Sequence, residues 1–240
     1  MKTIKNIHTK ITFFLGLILL TVSSGCDRDI SDSAVIATFS TTADVFIDSP
    51  VGLGSNFYFP YGGSKPTAWS VDEKESYEGT ASMRFDVPNG SDPEGNYAGA
   101  IFRIDGAGRD LSNFDALTFW AKASQGVTIG ELGFGEDFIE NKYVASIQET
   151  SLSTSWQKII IPIPDASKLT QERGLFRYSA GTQGTNGSGY TFWIDEMKFE
   201  KLGNIAQPRP QILNGEEKSE QTFIGGVITL SGLNQVFNLP

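Results

Sequence analysis

Hydrophobic and polar positions alternate along much of this chain with the period of a half-buried strand. In TASMRFDV, residues 80–87, Ala81, Met83, Phe85 and Val87 fall on one parity and Thr80, Ser82, Arg84 and Asp86 on the other. One face is therefore buried and the other wet. The stretches AGAIFRID (98–105), DALTFWAK (115–122) and QKIIIPI (157–163) read the same way, with Ile159, Ile161 and Ile163 as one apolar row. Clusters rich in glycine, asparagine and proline separate them, among them PNGSDPEGN (88–96) and GTQGTNGSG (181–189), and these supply turn and loop chemistry. Short alternating strands at this spacing predict an all-β domain, a β-sandwich that manages its edges by pairing two sheets. The final alternating stretch, YTFWIDEMKF (190–199), changes rhythm: Phe192 and Ile194 share one parity, Met197 and Phe199 the other. Keeping both pairs in the core requires a β-bulge near Asp195-Glu196, which would re-aim one carboxylate.

The N-terminus has a different pattern. Lys2, Lys5 and Lys10 precede an apolar run from Ile11 to Leu20, then the small residues Ser23, Ser24 and Gly25 and the only cysteine, Cys26. Ten apolar residues are too few to span a bilayer but suit a secretory signal peptide. With cysteine at the cut, residues 1–25 resemble a bacterial lipoprotein signal. Ser23 occupies the usual aliphatic position, as in the relaxed signals of Bacteroidota. The resemblance implies that Cys26 carries lipid on its sulfur and becomes the first residue of a protein anchored in the bacterial outer membrane and exposed at the cell surface. Asp27, Asp29 and Asp32 resemble that phylum's surface-export signals. Each buried CH₂ contributes about 0.8 kcal/mol, so two or more acyl chains make a lasting anchor. A plain secreted protein with an incidental cysteine is the other reading.

Removing residues 1–25 takes away three lysines and no acid, so the formal charge moves from -9 to -12. Such a balance disfavours nucleic acid, whose phosphates need a basic surface, and disfavours sulfated or uronate-rich glycans. The sole histidine, His8, leaves with the leader. Serine-histidine-acid and cysteine-histidine catalysis are thereby excluded from the mature chain, as are the usual zinc sites. Carboxylates, hydroxyls and hard cations such as calcium remain. The chain divides into an acidic tether (26–43), a domain (44–202), a stiff linker (203–211) containing Gln207-Pro208-Arg209-Pro210, and a short C-terminal segment (212–240).

Val45-Phe46-Ile47-Asp48, Tyr77-Glu78-Gly79-Thr80-Ala81-Ser82, Leu117-Thr118-Phe119-Trp120-Ala121-Lys122, Ser155-Trp156-Gln157-Lys158 and Trp193-Ile194-Asp195-Glu196 occur in that order. Together they resemble the galactose-binding-like jelly roll used by carbohydrate-binding modules of bacterial polysaccharide degraders. The resemblance covers residues 44–201 and implies non-catalytic binding of a neutral polysaccharide, with a laminarin-type β-glucan as the first expectation. The implied partners are an outer-membrane glycan transporter or a glycoside hydrolase. Residues 212–240 resemble the opening strands of a bacterial immunoglobulin-like module. Similar lipoproteins carry a sandwich and such a module, sometimes ahead of a glycoside hydrolase family 16 catalytic domain, so an enzyme domain beyond residue 240 is one alternative. A structural or adhesive stalk is another, and a C-terminal strand pair docked on the main domain is a further reading of the tail.

The family's structural calcium implies Asp48 and Asp195 as ligands, with Glu78 in the nearby turn. For sugar, which needs flat rings and planar polar groups, the loop NFYFPYGG (56–63) packs four aromatics among proline and glycines. Family position implies Tyr58, Tyr61 and Trp69; Tyr97, Arg103, Phe138 and Tyr178 are added as residues able to stack or hydrogen-bond. Phe57 and Phe59 are expected to plug the core, and Trp120, Trp156 and Trp193 to pack. Glu136 and Asp137, in GEDFIE (135–140), are adjacent and point to opposite faces. They do not form the facing pair a glycosidase requires and are expected to sit in a solvated acidic loop.

Overall fold

In the computed structural model, which describes residues 38–138 and 143–203 and the backbone of 212–213 and 216–217, the alternating stretches build two antiparallel sheets. The six-stranded sheet runs β3 (Trp69–Asp72), β4 (Ser82–Val87), β11 (Tyr190–Glu200), β6 (Ala116–Ala123) and β9 (Gln157–Pro162), with β1 (Asp44–Phe46) also paired to β11. The five-stranded sheet runs β2 (Tyr58–Pro60), β5 (Ala98–Arg103), β10 (Gly174–Ala180), β7 (Val127–Phe134) and β8 (Ala145–Leu152). Their inner faces meet in one apolar core, a jelly-roll-like sandwich. Phe85 and Phe192, register partners on β4 and β11, stack with centroids 4.5 Å apart. Phe102, Phe176 and Tyr178 of the other sheet pack against Phe85. These rings supply much of the buried area that holds such a sandwich together.

The expected bulge is present. On β11, Asp195 pairs with Trp120 and Lys198 with Thr118, the register shifting between them, and Glu196 sits at φ 50°. Ile194 and Met197 therefore both reach the core, and Asp195, fully buried, turns towards the segment before β4. Among the described residues, backbone pairing with the domain begins at Ser40, which bridges to Arg109. Of residues 212–240 the described part is one strand pair, β12 (Ile212–Leu213) with β13 (Glu216–Glu217); no separate immunoglobulin-like segment is seen among the described residues. The expected leader (1–25), the expected lipid-bearing Cys26 and residues 204–211 lie outside them.

Burial pushes the phenols of Tyr58, Tyr61, Tyr97, Tyr178 and Tyr190 above their ordinary value, Tyr190 to about 12. An unfolded tyrosine ionises near 10, so between 10 and about 12 the unfolded state releases protons that the native state keeps. Stability is therefore full below pH 10 and falls as pH rises through this window. In an alkaline titration, most phenolate absorbance should appear together with the loss of near-ultraviolet circular dichroism. Titration of these phenols near pH 10 with tertiary signal intact would contradict their burial.

Candidate functional site

The outer side of the five-stranded sheet carries the richest chemistry. Directly paired residues of antiparallel strands project to the same face, so Phe59, Ile101, Arg177, Gly133 and Ser146 form one row across β2, β5, β10, β7 and β8. Ile101 is 1% exposed yet stands apart from the core cluster, because outer-face residues cover it. A second row holds Gly99, Ser179, Glu131 and Gln148. A Cβ on Gly99 would lie 2.9 Å from the Tyr97 ring and 3.0 Å from that of Tyr61. Glycine at this position lets both rings settle on the sheet.

Arg177 sits mid-sheet between two acids: it pairs with Glu131, and with Glu136 at 2.8 Å. Tyr61 Oη donates to Glu136 Oε2 at 2.6 Å. Burial opposes the Arg177 charge, but Glu131 and Glu136 hold its pKa above the ordinary value. Burial first, then the bond to Glu136, raises that of the Tyr61 phenol. The Gly135–Phe138 segment reaches this face because Gly135 adopts φ 93° and donates its N–H to Gly174 O at 2.7 Å, while a Cβ on Gly174 would collide with the Glu136 backbone. Asp137 then pairs with Arg103 at 3.1 Å and with Arg173 at 3.6 Å. Phe138 is 58% exposed. It meets Phe59 edge-on at 5.0 Å, and the Arg103 guanidinium lies 5.6 Å from both rings. The result is an aromatic and cationic platform beside a floor of mutually neutralised charges.

The expected solvated acidic loop is thus corrected: Asp137 is 7% exposed and Glu136 is half-buried, and each is held by arginine. The two carboxylates do diverge, as their adjacency requires. Of the expected sugar contacts, the structure gathers Tyr61, Tyr97, Arg103 and Phe138 on or beside this face and places the others elsewhere. Tyr178 is 1% exposed, on the same parity as Phe176, and offers no ring face to a ligand. Tyr58 pairs in register with Phe102 and so faces inward. Trp69, on β3 of the other sheet, is packed by Phe57, Tyr58 and Phe102. Phe57 packs on the core as expected, but Phe59 lies on the outer platform. Sequence reasoning also missed Arg177 and Glu131, and had Glu136 only as a solvated loop acid. The alternation of Phe176, Arg177 and Tyr178 carried a signal for Arg177.

Trp120, Trp156 and Trp193 pack on the outer side of the six-stranded sheet rather than in the core. Tyr77 stacks on Trp120 at 4.0 Å, and the Lys122 ammonium lies 5.3 Å from Trp193 and 5.5 Å from Trp156.

The structure brings Asp48 and Asp195 to the same turn. Asp195 Oδ2 accepts the N–H groups of Tyr77 and Glu78, and its Oδ1 that of Glu196; Asp48 Oδ1 accepts those of Thr80 and Ala81. Burial raises the pKa of Asp195, and the nearby Asp48 charge adds to it. Glu196 is raised by burial too, with Asp195, Glu78 and Asp44 contributing. The Glu78 side chain is exposed. Among the described residues, no group of three or more acid, histidine or cysteine side chains is arranged to hold a metal.

The family model for carbohydrate binding domain 30 matches residues 45–201. Similar solved structures include a family 30 carbohydrate-binding module at 19% identity, covering 71% of this chain and 93% of that one with a TM-score of 0.47. The family 30 module of the cellulosomal cellulase Cel9D-Cel44B of Clostridium thermocellum shows 19% identity over 68% of this chain and 98% of that one, TM-score 0.44. A family 11 module from Clostridium thermocellum, in complex with a β-1,3-1,4-mixed-linked tetrasaccharide, shows 17% identity over 69% and 97%, TM-score 0.42. Among curated proteins no match was found.

Proposed function

The chain belongs to the carbohydrate-binding domain 30 family, a non-catalytic binding module, and from that premise we propose that it binds a neutral polysaccharide across the outer face of its five-stranded sheet. The observation that carries this reading is the exposed Phe138 ring, set with Phe59 and Arg103 beside the Arg177 network. A pyranose offers an apolar CH face and a rim of hydroxyls, which such a platform and floor match. Each arginine on the face is already paired with an acid, which favours an uncharged ligand over a sulfated or uronate one. A laminarin-type β-glucan is the first candidate. The stalk reading expects buried aromatics; Tyr178 is buried and Tyr58 and Trp69 are half-buried against the core, but Phe138 is exposed. Affinity electrophoresis through laminarin, lichenan, xylan, agarose, mannan and alginate tests the proposal. Retardation by one neutral glycan is the expected result, and retardation by none overturns it.

Within the same proposal, lipid on Cys26 holds the module at the bacterial cell surface for a glycan transporter or a glycoside hydrolase. Residues 212–240 open an immunoglobulin-like module, and a family 16 catalytic domain beyond residue 240 is the alternative parent. Asp48 and Asp195 are the candidate calcium ligands. Their donors are hard oxygens, burial and the neighbouring acids raise the cost of ionising Asp195 and Glu196, and among the described residues neither aspartate has an ion-pair partner. Calcium would neutralise the two carboxylates and fasten the end of β1 to β11. The melting temperature should then rise in millimolar calcium relative to EDTA, since a ligand that binds only the native state stabilises it by mass action. Equal melting temperatures in the two would remove calcium from the proposal.

A further inference from the structure

Between the β4–β5 and β10–β11 loops, past Tyr97 at the end of β5 opposite Arg103, lies an open cleft of about 390 Å³, lined by Gly90, Asn96, Tyr97, Thr182, Gln183 and Gly187. This is the low end of the range for small-molecule sites. Its walls are the β4–β5 and β10–β11 loops, tied together by Gly90 N–H to Gly187 O at 3.1 Å and Gly189 N–H to Asn89 Oδ1 at 2.8 Å. No lining side chain is charged. Asn96 and Gln183 each present an amide with two donors and an acceptor, and Thr182 adds a hydroxyl. A Cβ on Gly181 would collide with the Gln183 amide, so the missing side chain there is what lets Gln183 fold back against the loop. Tyr97 marks the boundary with the sheet face, its ring resting over Gly99 and its Oη donating to Gly62 O at 3.0 Å.

We propose that this cleft is a second saccharide site that takes one neutral pyranose ring, amides and hydroxyl meeting its vicinal hydroxyls and Tyr97 its CH face. The inference rests on the glycan-binding reading above but concerns different residues. Because bonded loops wall the cleft, the ring enters from a chain end or a branch rather than from the middle of a chain. A site so lined rejects charged sugars, since no cation or anion waits there to pair with them.

The test is nuclear magnetic resonance of the purified protein, following the side-chain amide signals of Asn96 and Gln183. Methyl β-D-glucopyranoside should shift both signals saturably, in the parent protein and in Phe138→Ala alike. A linear β-1,3-gluco-oligosaccharide that also shifts them identifies a chain end as the source; a shift by only a β-1,6-branched oligosaccharide identifies a branch. The double variant Asn96→Ala/Gln183→Ala, altered at two exposed positions, should keep the fold and bind the matching polysaccharide about tenfold more weakly, as expected for a lost pair of modest hydrogen bonds. Perturbation of Arg177 and Phe138 by oligosaccharides, with Asn96 and Gln183 silent to every saccharide, overturns the second site and leaves the sheet-face reading standing. Silence of both regions to all of them overturns both.

Discussion

Replacing Arg109 by methionine should cost about 3–5 kcal/mol of stability, since three backbone acceptors lose a charged donor together. Arg109 is 2% exposed, and its guanidinium donates to three backbone carbonyls: Thr42 O at 3.0 Å, Asp44 O at 2.6 Å and Val51 O at 2.5 Å. Its own backbone N–H donates to Glu172 O at 2.8 Å. The side chain thus joins the entry of β1 and the loop that follows it, and the backbone of the same residue ties them to the segment before β10. Burial lowers its pKa, with the Asp44 charge opposing, so the cation is retained because its donors are used. Methionine fills much of the volume but leaves three carbonyls without their donor, each costing on the order of 1–3 kcal/mol where water does not replace it. Lysine keeps the charge without the planar fork and should recover only part of the loss. Urea unfolding of the parent and the two variants measures the difference. A methionine variant within about 0.5 kcal/mol of the parent, the range of an ordinary surface change, would mean that these carbonyls are not held by the guanidinium.

The strands with uninterrupted alternation, β4, β5, β6 and β9, were legible in the sequence, and so was the β11 bulge, because burial of one face imposes period two on composition. β7 and β8 hid themselves. In β7, Val127 and Ile129 face the core, then Leu132 and Phe134; in β8, Ala145 and Ile147, then Thr150 and Leu152. Both strands switch parity at the same place, where Glu149 adopts φ 52°, so the register between them survives while the alternation of each is broken. The site was legible in its residue types and less so in its geometry. Tyr61, Tyr97, Arg103 and Phe138 could be chosen as stacking or hydrogen-bonding groups, but which of Tyr58 and Phe59 faces outward is set by pairing with Phe102 and Ile101. Composition carries no information about that partner. The Arg177 network was hidden for a related reason: Arg177 lies 41 residues from Glu136 and 46 from Glu131 along the chain, and the three meet only through the β10–β7 pairing and the glycines that fold residues 135–138 onto the sheet.

If the sheet face holds the glycan, Phe138→Ala separates binding from folding. The ring is 58% exposed, so its loss should change stability by no more than about 0.5 kcal/mol. A sugar stacked on it would lose aromatic contact and the Arg103 arrangement, together about 1.5–2.5 kcal/mol, or roughly ten- to sixtyfold in affinity. Arg177→Met is a less clean probe, since it leaves Glu131 and Glu136 without their shared cation and should weaken folding and binding together. Glu136→Gln removes one charge while keeping an acceptor for Tyr61, so it should lower affinity with a smaller stability loss. Contacts of this kind are barely screened, so the affinity measured by isothermal titration should be nearly flat with added salt, unlike binding steered by exposed charge. Tyr77→Ala, on the opposite sheet, serves as the control and should bind as the parent does. The reverse pattern, with Phe138→Ala unaffected and Tyr77→Ala defective, would move the glycan to the outer face of the six-stranded sheet, where Tyr77 stacks on Trp120.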